Sequence, residues 1–548
     1  MDTRRLILVL IFTFSSFMLW ENWQKYNQPK PAADAVATAP TGGAVPVPST
    51  SLQAKASSDT PAVAAPASSA ETFTVTTDLM KATISAQGGD LVRLELLKYK
   101  EHDNKEKTFV LFDAAHQYLA QAGLIGEGLP SHRSIFSHVE GPTSLAEGSD
   151  ELKFRLESTE QGGIKVAKIL TFKRASYQVD VAWEITNGSD KAIAPNAYFQ
   201  LQRDDVAPAG ETKMVSTFTG PAVYTDAEKY QKVTFAHIAE DKAKFAKTAD
   251  NGWLAMVQHY FVSAWVPKDK TPREFYMRKV EGHNVFQAGV IVPIAEIAPG
   301  AKGGTSVTLY AGPQEQSVLK QIAPGLNLVV DYGWLTVVAA PIFWALEAIH
   351  KLVGNWGWAI VVLTVILKAI FFPLSAASYK SMAKMKLLTP RLTQLKERFG
   401  DDKQRLNQEM MKMYQTEKVN PLGGCLPILV QIPVFIALYW VLLGAVEMRD
   451  APWILWIKDL ASADPYYILP VVMMISMFVQ TKLNPTPPDP IQAKVMMMMP
   501  LIFGFMFFWF PAGLVLYWVV NNVLSITQQW HISRMIDGGR KAANDAKA

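Results

Sequence analysis

A lysine interrupts an apolar run. Lys368 falls inside residues 358–372, and at about 1.5 Å per residue it lies about 7.5 Å before Pro373, where the run ends. A charge at the centre of a membrane helix costs roughly 2.5 to 3.5 kcal/mol, less where a long side chain snorkels to the interface. Two uses of Lys368 therefore compete: a snorkelling cation and a cation held in a polar cavity. Thr364, one turn earlier, shares its helical face and favours the cavity. Gln431 lies near the inner end of a segment opening at Leu426, and Asn521, Asn522 and Ser525 lie in the inner half of the last apolar segment. There Trp518, Asn522 and Ser525 follow one another at i, i+4 and i+7, on one face. No Asp or Glu lies within these apolar segments, so the cation has no counter-charge from its own spans. An unpaired cation suits water or a transient acidic ligand, while hydrogen bonding between helices is the competing use of such polar residues.

A second set is wholly apolar. Met496, Met499, Phe503, Phe507 and Trp509 belong to one greasy segment, and Met473, Met474 and Met477 thicken its neighbour. Methionine adapts to many apolar shapes, so these residues could form a surface on which a hydrophobic substrate slides; facing lipid or packing is the alternative. No Walker loop, no HExxH, no GxSxG and no paired Cys or His spacing occurs, which argues against an enzyme, a bound metal and a cofactor. Cys425 is the single cysteine and excludes an internal disulfide; Leu422-Gly423-Gly424-Cys425 resembles a lipidation box but lies far from any N-terminal signal. A net charge of +4 on 548 residues argues against a general nucleic-acid binder.

The elements that must position these residues follow from patterning. With 49% apolar residues and a mean hydropathy of +0.09, the chain reads as a membrane protein with a soluble part. Residues 1–26 read as an N-terminal membrane anchor, with Arg4 and Arg5 before an apolar run and Trp20 and Trp23 after it. Residues 27–70, with 20 Pro or Ala among 44 and no aromatic, read as a tether. From 71 to 330, alternation such as Tyr177, Val179, Val181, Trp183, Ile185 and turns such as Gly88-Gly89-Asp90 and Asn187-Gly188 predict a large β-sandwich beyond the membrane.

Residues 331–357 read as an interfacial amphipathic helix, since Glu347, His350 and Lys351 share a face. Five spans are expected in 358–533: 358–372, 426–446, 466–480, 495–510 and 514–526, making six with the anchor. Several are short, which suggests a locally thin bilayer. Taking 334–353 as a further span would place loop 374–425, with ten Lys or Arg against five acidic residues, outside, against the positive-inside rule. That loop reads as a cytoplasmic helical hairpin: Leu392, Leu395 and Phe399 stripe one arm, Leu406, Met410 and Met413 the other, with Gly400, Asp401 and Asp402 at the turn. Residues 534–548 read as a basic tail.

Together these residues resemble the YidC membrane protein insertase family of Gram-negative type. The strings are Val329 to Trp334 (VVDYGW), Val353 to Gly357 (VGNWG), Ser381 to Met385 (SMAKM), Val419 to Cys425 (VNPLGGC), Asp464 to Pro470 (DPYYILP) and Trp509 to Tyr517 (WFPAGLVLY). The resemblance covers essentially the whole chain and is strongest over 329–529. It implies a multi-pass inner-membrane protein with cytoplasmic termini, a periplasmic β-super-sandwich, and a groove open to cytoplasm and lipid but closed outside. It also implies an insertase and folding chaperone, acting alone or with the Sec translocon on nascent membrane proteins delivered by ribosomes and signal-recognition targeting factors.

In that family a positively charged groove residue receives polar, often acidic, segments. The position falls on Lys368, where the family usually has Arg; lysine keeps the charge and loses the planar fork. Thr364 and Gln431 match groove residues, Tyr517 joins them, and Trp518 stands where a close relative would carry tyrosine. The rival functions are a solute or ion transporter binding through Lys368, and a carbohydrate enzyme housed in the β domain. The first would call for inverted repeats or midplane broken helices, which the sequence lacks, and the second rests on fold analogy alone.

Overall fold

The alternating stretch at 177–185 becomes a strand. In the computed structural model, Gln178–Asn187 buries Val179, Val181, Trp183 and Ile185 on one face, and Tyr177 just before it is buried too. Burying each such side chain is worth roughly 1.5 to 3 kcal/mol relative to exposing it. The structure describes residues 71–101, 104–208, 217–268, 270–399, 402–417, 426–484 and 490–545, together with Pro46. The anchor at 1–26, the rest of the tether, Gly400, Asp401 and Cys425 lie outside them. Two compact units divide the chain, one reaching to Asp331 and the other from Tyr332 onward.

The first unit is an all-β sandwich of two antiparallel sheets, each of nine strands among the described residues. One sheet runs in the order Thr72–Thr76, Met80–Ser85, Leu91–Lys100, Leu119–Ile125, Asn196–Arg203, Phe286–Pro293, Arg273–Lys279 and Thr248–Ala249, with Thr108–Phe112 also paired to Leu91–Lys100. The other runs Lys229–Lys232, Gly220–Thr225, Trp253–Gln258, Phe261–Pro267, Lys302–Pro313, Gln178–Asn187, Ile164–Lys173, Glu151–Ser158 and Phe136–His138. Trp183, Trp253, Trp265, Phe112, Phe136 and Phe154 fill the core. Two short helices, α1 (Phe235–Ala239) and α2 (Gln316–Ile322), sit among the loops. Gly88 and Gly89 turn one strand into the next at φ +72° and +60°; a Cβ on Gly88 would also meet the His132 carbonyl oxygen at 2.6 Å.

A polar network crosses this apolar interior. Lys168 donates to the Gly88 and Ala122 carbonyls at 2.9 and 3.2 Å, lies 3.7 Å from Asp90 and 5.3 Å from the Trp183 ring centroid. Gln121 donates to Asp90 at 2.8 Å, Gln200 to Gln121 at 2.7 Å and Tyr276 to Gln200 at 2.6 Å. Burial pulls both members of the ion pair toward neutrality, raising Asp90 to about 7 and lowering Lys168 to about 8, while each charge opposes the shift of the other.

The second unit is helical: α3 (Thr336–Val353), α4 (Trp356–Ile370), α5 (Phe372–Phe399), α6 (Lys403–Thr416), α7 (Leu426–Gly444), α8 (Ile468–Leu483), α9 (Pro490–Met506) and α10 (Ala512–Asp545). α10 packs on α8, α4 and α5; α3 packs on α4 and α7; α9 packs on α8. Outward apolar side chains, among them Ile366, Ile370, Ile475, Met498, Ile502 and Phe505, are exposed, as lipid-facing residues must be. Thr336–Val353 is the one described helix long and apolar enough to cross a membrane by itself. Trp356–Ile370 joined to Phe372–Leu388 also qualifies, across a bend of 66°, and Gln431–Gly444, Ile468–Leu483 and Ala493–Trp509 are shorter apolar helices.

Three boundaries differ from the sequence reading. Pro373 does not end a helical region: it falls in the first turn of α5, where a missing N–H leaves no bond unmade, so the chain bends at Phe371 and continues as helix. The last helix runs on to Asp545, so the expected tail at 534–548 is helical for most of its length. The greasy segment ends its α-helix at Met506 and tightens into a 3₁₀ turn over Phe507–Trp509. The arms α5 and α6 pack together, with Leu392 buried and Leu406, Met410 and Met413 half-buried. Asp402 caps α6 by accepting from the Gln404 and Arg405 amides at 3.1 and 3.0 Å, and Arg391 bridges the arms to Glu417 at 2.5 Å.

Candidate functional site

Lys368 sits in the last turn of α4 and is 6% exposed. Asn355 caps the other end of that helix by accepting from the Trp358 amide at 3.1 Å, and its amide nitrogen donates to the Pro452 and Trp453 carbonyls at 3.0 and 3.3 Å. Gly357 lets Trp453 lie against the helix, since a Cβ there would meet the indole at 2.2 Å. The same loop closes the start of α10. The Leu460 and Ser462 carbonyls accept from the Gly513 and Ala512 amides at 2.9 and 2.8 Å, satisfying donors that a helix N-terminus leaves open. Asp464 organises the loop: its carboxylate accepts from Trp456 Nε1, the Tyr466 amide and the Leu469 amide at 3.0, 3.0 and 2.8 Å.

At the opposite end, α4, α5, α7, α8 and α10 surround a cavity of ≈ 360 Å³. Lys368, Gln431, Tyr517, Trp518, Asn522 and Ser525 line it, and of these Trp518, Asn522 and Ser525 share one face of α10. Lys368, Gln431, Asn522 and Ser525 each have a specific polar contact. Lys368 Nζ donates to Ser525 Oγ at 2.7 Å, Gln431 to Asn521 at 3.0 Å, and Asn522 to Ser476 Oγ at 3.1 Å. Tyr517 is 2% exposed and Trp518 is half-buried against Phe435 and Phe507, with its Nε1 unpartnered among the described residues. No carboxylate lines the cavity, and among the described residues Lys368 has no ion-pair partner.

Thr364 is placed differently from the expectation. Its hydroxyl turns back to the Ile360 carbonyl at 2.7 Å, and it lines a separate void of ≈ 10 Å³ behind Lys368, about the room one water needs. The apolar candidates also divide. Met499, Phe503 and Trp509 are exposed and Met496 is half-buried, but Phe507 is 3% exposed and packs on Trp518 and Phe510. The 3₁₀ turn rotates Phe507 inward, so it does not share the outward face expected of it.

Several lining residues escaped the sequence reading: Ser375, Ser378 and Tyr379 of α5, and Gln480, Thr481 and Asn484 at the end of α8. Ser375, Ser378, Tyr379 and Met382 recur at i, i+3, i+4 and i+7, a face that was legible once the helix is allowed to pass Pro373.

The comparisons with known proteins bear on the family of the chain. Residues 72–345 match the family described as the YidC periplasmic domain, and residues 348–540 the family described as 60Kd inner membrane protein. A membrane protein insertase YidC of Dechloromonas aromatica (strain RCB) is 85% identical over 548 residues, covering 100% of each chain. Its counterpart in Aromatoleum aromaticum (strain DSM 19018 / LMG 30748 / EbN1) is 60% identical over 551 residues, again covering 100% of each. A solved structure of an active YidC insertase with its first transmembrane domain resolved aligns over 84% of this chain and 92% of that one, at 18% identity and a TM-score of 0.40. A sandwich followed by an apolar helical unit, matched end to end at these identities, leaves one assignment: the chain belongs to the YidC family of membrane protein insertases.

Proposed function

We propose that the cavity around Lys368 receives the hydrophilic part of an incoming membrane protein, lowering the cost of moving that part into the bilayer while partition of the following apolar segment drives the rest. The observation that carries this reading is a buried ammonium in a polar cavity without a carboxylate. A permanent ion pair would leave nothing to offer a substrate; an unpaired cation attracts an acidic side chain and releases it when the segment moves on. No nucleotide enters the scheme. Met499, Phe503 and Trp509 present the apolar surface beside which the hydrophobic segment slides.

In this reading the anchor and the helices at 358–372, 426–446, 466–480, 495–510 and 514–526 are six spans, with both termini cytoplasmic and the sandwich periplasmic. The apolar lengths Gln431–Gly444 and Ile468–Leu483, about 21 and 24 Å at 1.5 Å per residue, fall short of a ~30 Å hydrocarbon core and fit a locally thinned bilayer. α3 lies in the outer interface: Val337, Trp344 and Leu352 are exposed, and Glu347 pairs with Lys351 at 3.0 Å. Were it a span, the basic hairpin would face outward against the positive-inside rule. The hairpin of α5 and α6 is the cytoplasmic docking element for ribosomes and signal-recognition targeting factors, and the protein acts alone or with the Sec translocon.

The test replaces Lys368 in the full-length protein and measures insertion of substrates carrying acidic or neutral translocated tails. Lys368→Arg is expected to retain insertion and Lys368→Ala to impair it chiefly for acidic tails. Normal insertion of every substrate by Lys368→Ala would mean that Lys368 is a snorkelling lysine without a substrate role.

A further inference from the structure

Lys368 is shallow enough to reach the interface, yet its ammonium stays in the cavity, and one contact accounts for that. The Ser525 hydroxyl has a single hydrogen, and that hydrogen is committed to the Asn521 carbonyl one turn back on α10, at 2.7 Å. Toward Lys368 the hydroxyl can therefore act only as an acceptor, and Lys368 Nζ donates to it at 2.7 Å. The hydroxyl is oriented before any substrate arrives, and it is 3% exposed. A neutral acceptor holds an ammonium in place without cancelling its charge. An ammonium has three donors, so two remain without a partner among the described residues and available to a carboxylate.

We propose that Ser525 is a positioning residue: it anchors Lys368 inside the cavity and thereby sets the preference of the insertase for acidic over neutral polar segments. Without that acceptor the long lysine side chain is free to carry its charge out to the interface, where water screens it from a substrate in the cavity. The inference rests on the substrate-binding reading of the cavity given above. It adds that the acceptor on α10, and not the charge alone, determines selectivity.

The experiment uses full-length protein in membranes and two versions of one substrate, whose translocated tail carries either Asp or Asn at the same positions. Ser525→Ala is expected to reduce insertion of the Asp version roughly ten- to hundredfold, as loss of one charge-assisted hydrogen bond implies, with the Asn version changed less than about twofold. Ser525→Thr, whose hydroxyl can make the same backbone bond, should restore the wild-type Asp-to-Asn ratio. Equal loss for both versions would assign Ser525 a merely structural part, and an unchanged ratio in Ser525→Ala, or failure of Ser525→Thr to restore it, would equally overturn the proposal. Lys368→Ala separates the two levels. If it inserts the Asp version normally, the cavity reading itself fails; if it is impaired while Ser525→Ala keeps the wild-type ratio, only the anchoring role fails.

Discussion

Removing the carboxylate from the buried pair in the sandwich should expose how much of that unit's stability depends on it. Asp90→Asn preserves shape and an amide partner for Gln121, but leaves the Lys168 ammonium, 3.7 Å away and 2% exposed, without a counter-charge. Breaking a buried pair from one side costs about 3 to 5 kcal/mol. A ceiling follows from the lysine itself: its ordinary value is 10.5, so giving up its proton at pH 7 costs about 3.5 units at about 1.36 kcal/mol each, or about 5 kcal/mol.

The sign follows from burial, which lowers Lys168 in the folded state. The unfolded chain then binds more protons above the folded value, so the penalty is fully present below it and is relieved as pH rises toward 10.5. At pH 9.5 the ceiling falls to about 1.4 kcal/mol. Urea unfolding of residues 71–331, followed by tryptophan fluorescence at both pH values, reads these differences directly. Replacing both partners with apolar residues, Asp90→Leu with Lys168→Met, should return stability to within about 1.5 kcal/mol of the parent. A cost below about 1 kcal/mol at pH 7, or the same cost at pH 9.5, would refute the assignment of Lys168 as a charged residue compensated by Asp90.

Three further outcomes are expected. Deleting residues 71–314 while keeping Trp334 to Val353 should leave insertion intact, measured with a Sec-independent substrate; total loss at normal expression would mean that the sandwich takes part. Reversing Lys384, Lys386, Lys396 and Arg398 together, all exposed on α5, should weaken binding of ribosome–nascent-chain complexes and insertion, and unchanged values for both would leave the hairpin a solvated connector. Asp464→Ala removes the acceptor of three hydrogen bonds and should lower the stability of the helical unit by about 1.5 to 3 kcal/mol in detergent, whereas an unchanged melting temperature would show the loop to be held by its apolar contacts.

The sandwich was legible because alternation is a local property: Tyr177 to Ile185 carries its burial pattern in its own spelling, whichever strands flank it. The order of strands was not legible, since pairings such as Leu119–Ile125 with Asn196–Arg203 join segments far apart in sequence, and periodicity carries no information on partners. In the helical unit, spacing placed Trp518, Asn522 and Ser525 on one side of one cavity. The misreading at Pro373 hid Ser375, Ser378 and Tyr379, because a proline at a helix start and a proline at a helix end leave the same mark in a sequence. Thr364 shows a different limit. Helical spacing fixes the side of the cylinder on which a hydroxyl lies, while the acceptor it chooses, here its own backbone, depends on χ1 and local space.

The break at Phe371 has an electrostatic consequence. It ends α4 within one turn of Lys368, so the ammonium lies where the aligned peptide dipoles of that helix place a partial negative charge, worth up to about 2 kcal/mol for a partly buried cation. A continuous helix through 371 would move that pole several turns away. The bend thus supplies a fractional counter-charge made of backbone alone, which adds to the hold of the Ser525 hydroxyl and is too small to compete with a carboxylate delivered by a substrate.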